Sequence, residues 1–206
     1  MGSAARRARE KEQLRRKILD AARDLFTAEG YERVSMRKIA EKIEYSPTTI
    51  YLYFKDKMDL LLTISDETLD ALAAEIEAAV KDIQDPVEKF REFGRAYVEF
   101  GLARPHEYDL TFVLRPRHRG GLALPEGSSA YRMFESVGDL VRECVHEGRF
   151  RELDAAAAAQ SLWASVHGLT SLLIAYPDFP WVERDALISQ TLDTITEGHR
   201  RRASAE

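Results

Sequence analysis

Apolar residues recur at helical spacing along almost the whole chain. Leu14, Ile18, Ala22, Leu25 and Phe26 form one stripe, and Gly30 follows where a helix C-terminal cap belongs. Ser35 is a good N-cap for a short helix with Ile39, Ala40 and Ile43 on one face. After a turn at Glu44-Tyr45, Ser46 caps a second short helix. Pro47 stands at its first position, where proline's fixed φ suits and its missing N–H costs nothing. Ile50 and Phe54 fall four apart on the inner face of that helix, with Thr48, Tyr51, Leu52 and Lys55 largely on the other. Asp56 can cap a long helix through Leu61, Leu69, Leu72, Ile76 and Val80, a natural lever to the rest of the chain. Asp85-Pro86 starts another through Phe90, Phe93, Tyr97 and Phe100, and Pro105 opens a short one with Tyr108, Phe112 and Val113. Residues 115–127 read as the longest irregular loop, with Arg115, Arg117 and Arg119 as a solvent-facing rim. Tyr131, Phe134, Val137, Leu140, Val141 and Val145 make a further stripe closed by Gly148, and Asp154 caps an alanine-rich helix running to Tyr176. Beyond Pro177 and Pro180 a last helix, starting near Val182, carries Ile188, Leu192 and Ile195. With no strand alternation and no repeat, the pattern predicts an all-α fold of about nine helices.

Charge changes the picture more than composition does. The 206 residues are 45% apolar, enough for a sizeable core, and carry a formal net charge of −5. That total argues against nucleic acid, but it is unevenly spread. Up to Lys57 there are 14 Lys plus Arg against 9 Asp plus Glu, leaving 16 against 26 for the remainder. A basic arm over residues 1–12, with Arg6, Arg7, Arg9 and Lys11, is expected to be solvated and to reach phosphates or the minor groove. No apolar run is long enough to span a bilayer and no signal-peptide pattern opens the chain, so the protein is expected in the cytoplasm. Cys144 is the only cysteine, which excludes an internal disulfide; a buried structural thiol and a redox sensor are its two readings. The five histidines lack metal-binding spacing, and Gly120-Gly121 lacks the spacing and following Lys-Ser/Thr of a phosphate loop. Neither a catalytic centre, a metal nor a cofactor is expected.

The two short helices between Ser35 and Phe54, joined by a tight turn, have the organisation of a helix-turn-helix, although an ordinary amphipathic helical hairpin would share the spacing. Ser35-x-x-x-Ile39-Ala40, then Ser46, then Ile50-Tyr51-x-Tyr53-Phe54-x-x-Lys57-x-x-Leu60 resembles the DNA-binding domain of the TetR family of bacterial transcriptional regulators, over about residues 14–62. The resemblance implies that Tyr51, Tyr53 and Lys57 grip phosphates, and that Arg37, Pro47, Thr48, Thr49 and Leu52 reach base edges or their surroundings. Ser46 and Lys55 complete the expected DNA-binding set, in which only Arg37 offers a bidentate fork for guanine. The chain departs from the family at the turn, usually Gly-Val. Glu44-Tyr45 there implies a non-glycine residue at positive φ, at a cost of about 1 kcal/mol. Glu44 is expected to turn from the groove or to pair with Lys42 or Arg33.

Inside the alanine-rich helix, Trp163-Ala-Ser-Val-His167-Gly168-Leu169 resembles the tryptophan-histidine-glycine signature of one group of TetR regulatory domains. Trp163 and His167 share a helix face, and Gly168 would admit a neighbouring backbone. The functional reading is an interhelical ligand pocket lined by Phe93, Tyr97, Tyr108, Phe112, Phe134, Trp163 and His167, suited to a small hydrophobic or aromatic effector. The alternative is a satisfied core histidine beneath a core tryptophan. The expected organisation is an arm over 1–12, a helix-turn-helix domain over 13–58 and a regulatory and dimerisation domain over 59–206. The expected activity is that of a homodimeric repressor of a palindromic operator, released by its effector. A regulator of the same fold answering to a protein partner, an activator, and a helical binding module or enzyme are the alternatives.

Overall fold

The computed structural model describes residues 2–114 and 126–201. Arg115, Arg117 and Arg119 of the expected rim lie outside the described residues. Nine α-helices occur among the described residues: α1 (Gly2–Glu29), α2 (Met36–Lys42), α3 (Pro47–Tyr51), α4 (Lys57–Val80), α5 (Pro86–Ala103), α6 (Pro105–Tyr108), α7 (Ser129–His146), α8 (Ala155–Ala175) and α9 (Arg184–His199). A 3-10 turn follows α1, and α6 continues as a π-helical stretch, Asp109–Leu114. One isolated antiparallel bridge, Phe150 to Arg200, is the β pairing among the described residues. None of the described helices is long and apolar enough to cross a membrane.

Local capping chemistry sets most helix starts. The side chains of Ser35, Ser46, Asp85 and Asp154 accept the backbone N–H of Lys38, Thr49, Val87 and Ala157, and Asp56 accepts that of Asp59. The last helix begins at Arg184, two residues later than the proline punctuation suggested, because Glu183 supplies the cap to Ala186. At the other end of the chain the helix begins earlier than expected. The basic stretch assigned to a separate arm is the start of α1, where Ala, Arg and Glu are strong helix formers needing no buried face.

The chain falls into two compact units, Met1–Thr68 with His106–Leu122, and Leu69–Pro105 with Ala123–Glu206. The division lies inside α4 instead of at residue 58. Its physical reason is burial: Leu60, Leu61 and Ile64 on the first turns of α4, and Leu110 on the π stretch, are inaccessible members of the core formed by Ile18, Leu19, Ile39 and Ile50. In the second unit α5 packs with α7, α8 and α9. Gly94 makes this possible, since a Cβ there would lie 2.5 Å from Leu192 Cδ2 and 3.2 Å from Leu162 Cδ1. Gly168, expected to serve a close approach, meets nothing within 4 Å of an added Cβ in this chain.

Candidate nucleic-acid interface and interhelical cavity

The interface is built around the turn between α2 and α3. Glu44 has φ of 62°, the left-handed conformation expected of this turn. Its N–H donates to Glu41 O at 3.2 Å and that of Tyr45 to Ala40 O at 3.0 Å, the paired bonds of a Schellman termination. Lys17 fastens the turn from α1, donating to Ile43 O at 3.2 Å with its ammonium 5.4 Å from the centre of the Tyr45 ring. Of the two expectations for the Glu44 carboxylate, turning from the groove or pairing with Lys42 or Arg33, the structure does not show the pairing, since those cations are engaged elsewhere. Lys42 pairs with Asp24 at 2.8 Å, and Arg33 Nε donates to Glu29 O at 2.6 Å.

α3 is anchored from one side only. Ile50 and Phe54 are buried, whereas Ser46, Pro47, Thr48, Tyr51, Leu52 and Lys55 are exposed. Tyr51 is 55% and Leu52 76% accessible. Thr49 and Tyr53 are half-buried: Thr49 Oγ1 lies 2.9 Å from Ser46 Oγ, and Tyr53 packs against the core. On α2, Arg37 is exposed and pairs with Glu41 at 2.9 Å. An exposed pair of this kind stabilises by little, so the guanidinium is free to exchange partners. Lys57 is half-buried, its ammonium 4.1 Å from the Tyr31 ring centre and donating to Tyr31 O at 2.7 Å and Glu32 O at 3.4 Å. Sequence reasoning missed this use, which depends on a neighbour 26 residues away. An ammonium has three N–H donors, so one remains beyond these two carbonyls. The turn and the helices around it thus offer hydroxyls, one fork-shaped cation, two lysines and bare apolar surface. That chemistry suits the edge of a groove and its phosphates.

The second unit holds the cavity. Phe93, Tyr97, Phe134 and Trp163, four of the seven expected lining residues, surround it with Met133, Val137, Ala159, Leu162 and Val166. Its free volume is about 20 Å³, room for one water. Trp163 Nε1 donates to Tyr97 Oη at 3.3 Å, and Tyr97 Oη lies 3.2 Å from His167 Nδ1. The Trp163 ring is T-shaped to Phe134 at 5.3 Å, and its centre is 5.5 Å from that of His167. Burial pushes His167 below its ordinary pKa, so the imidazole is favoured neutral. Tyr108 and Phe112 belong to the other compact unit, where their rings lie 4.8 Å apart. Phe93 and Met133 also line an open groove of about 1230 Å³ bounded by the second half of α4, α5 and α7. Cys144 is fully buried, and desolvation pushes its thiol up to about 11, the chemistry of a structural thiol. Among the described residues no group of three or more His, Cys, Asp or Glu side chains is placed to hold a metal.

Residues 18–64 match the family described as bacterial regulatory proteins, tetR family, and residues 90–195 match the tetracyclin repressor-like C-terminal domain. The fatty acid metabolism regulator protein of Bacillus subtilis (strain 168) is 31% identical over 151 residues, covering 72% of this chain and 77% of that protein. The HTH-type transcriptional repressor KstR of Mycolicibacterium smegmatis is 34% identical over 79 residues, covering 38% of this chain and 36% of KstR. In three dimensions, the fatty acid degradation regulator FadR of Bacillus halodurans superposes with a TM-score of 0.72 at 20% identity, over 91% of this chain and 97% of that one, a likeness of fold.

Proposed function

This chain belongs to the TetR family of bacterial regulatory proteins, DNA-binding transcriptional regulators and not enzymes, and from that premise we propose that it is a repressor acting as a homodimer on a palindromic operator. The observation that carries the reading is the one-sided anchoring of α3, which leaves Thr48, Tyr51, Leu52 and Lys55 with no partner in the core while Ile50 and Phe54 hold the helix down. Tyr51, Lys55 and the remaining donor of Lys57 take phosphates, with Tyr53 steadying the helix end. Arg37, Pro47, Thr48 and Leu52 face bases, and Ser46 and Thr49 fix the start of the helix by capping it.

Dimerisation is supported by the end of α8 and the segment after it. Leu172, Tyr176, Phe179 and Val182 are large apolar side chains left in solvent close together in sequence, with the unfilled space over Gly168 on the same helix. A second copy packing there by two-fold symmetry would bury them, and reading a palindrome requires the two α3 helices of such a dimer to stand about 34 to 36 Å apart, one turn of DNA.

An effector acts, in this reading, by binding more tightly to a state in which that spacing is lost. Trp163, His167 and Gly168 are the residues through which the chain fits the tryptophan-histidine-glycine group. A small hydrophobic or aromatic compound needs Phe93 and Met133 to part, joining the cavity to the groove they both line. The near-filled cavity also favours a second reading, the same repressor without a small-molecule inducer. Selection of bound fragments from random duplex DNA tests the core of the proposal. A palindrome with half-sites one helical turn apart is expected; recovery of no preferred sequence overturns it. Compounds that raise the melting temperature are then tested for operator release, and tight binders that leave operator affinity unchanged decide for the second reading.

A further inference from the structure

We propose that Leu52 reads the 5-methyl group of a thymine in each operator half-site. The inference rests on the reading of α3 as the DNA-facing helix and names what one position of it recognises. Leu52 is the most accessible large apolar side chain among the described residues, at 76%. It caps α3 with helical backbone angles, φ −73° and ψ −17°, so its side chain continues the outer face of Thr48 and Tyr51, opposite Ile50. Nothing in the fold requires leucine there, because the neighbouring Phe54 and Ile50 already fill the core side.

Thr48 and Tyr51 share that outer face, while two other hydroxyls at the start of the helix are engaged with each other. Ser46 and Thr49 hydroxyls lie 2.9 Å apart, and Ser46 Oγ also accepts the Thr49 N–H at 3.2 Å. An isobutyl group set against the acceptors of guanine or the amino groups of cytosine and adenine would desolvate them and return no bond. The thymine methyl is the one apolar group a major groove offers, and packing against it withdraws both surfaces from water.

Deoxyuridine differs from deoxythymidine only by that methyl, so the test substitutes it for each thymine of the selected operator in turn, with the full-length protein. One position is expected to weaken wild-type binding about fourfold when changed in a single half-site, the value of one buried methyl. Leu52→Ala is expected to bind the intact operator more weakly, with an unchanged melting temperature, and to bind the thymine and uracil duplexes equally. A half-site without thymine, a wild type indifferent to every replacement, or a difference that survives in Leu52→Ala overturns the assignment. Tyr51→Ala separates the two levels of the argument. If it weakens binding while uracil is silent, only the thymine assignment falls; if it too leaves affinity unchanged, α3 is not the DNA-facing helix.

Discussion

Two constellations of aromatic and aliphatic side chains in this protein meet their surroundings in opposite ways. Around α3, Tyr51 and Leu52 stand in solvent, held by a helix that is buried on one side only. In the second unit, Tyr97, Trp163 and His167 are joined by polar contacts of 3.2 to 3.3 Å, and the cavity that Tyr97 and Trp163 line with seven other residues leaves about 20 Å³ free. A face that leaves large side chains unpartnered is ready to bind as it stands. A set that has already closed on itself must first be opened, and the work of opening is subtracted from any ligand's affinity. On the proposed function, operator binding would need little rearrangement of α3, whereas binding of an effector would require movement at Phe93 and Met133.

The closed set can be broken by overfilling it. Gly94→Ala is expected to cost about 1–2 kcal/mol, because its Cβ would enter the space of Leu192, Leu162 and Val166; urea unfolding measures this. A smaller loss, about 1 kcal/mol, is expected of Tyr97→Phe, which leaves the Trp163 N–H without its acceptor and returns the imidazole to its other contacts. On the open side the sign reverses. Glu44→Gly relieves the left-handed residue at the turn and should stabilise by about 0.5–1 kcal/mol, less than the full strain because glycine also loosens the unfolded chain. The least effect is expected from pH. His167 and His199 are both held below the ordinary histidine pKa, first by burial, and for His199 also by Arg151. The unfolded chain then binds protons before the folded one as pH falls below about 6.5, so stability is complete above that value and declines towards pH 5. Melting temperatures across this window, with His199→Gln as the comparison, check the direction.

Much of the open face was legible in the sequence because it is made by local rules. Capping by Ser35 and Ser46, proline at the start of α3 and the four-residue spacing of Ile50 and Phe54 act over a few residues. The positive φ at Glu44 was legible only through the family resemblance, in which the turn usually carries glycine. What was not legible depends on distant partners. Lys57 spends two donors on the carbonyls of Tyr31 and Glu32, and Leu110 joins the first unit's core although α4 and α5 intervene in sequence. The tight approach of helices falls at Gly94 and not at Gly168, since it is decided by which neighbour arrives and both glycines look alike in a helical pattern. The free volume beside Trp163 depends on how nine side chains pack together.

The central claim is that the exposed face of α3 is the DNA reader, and the affinity of Tyr51→Ala for the selected operator, measured against salt concentration, tests it most directly. The account predicts a loss of about tenfold or more, a reduced advantage over random DNA and an unchanged melting temperature, since Tyr51 contributes nothing to the core. Wild-type affinity and specificity in that variant would contradict it.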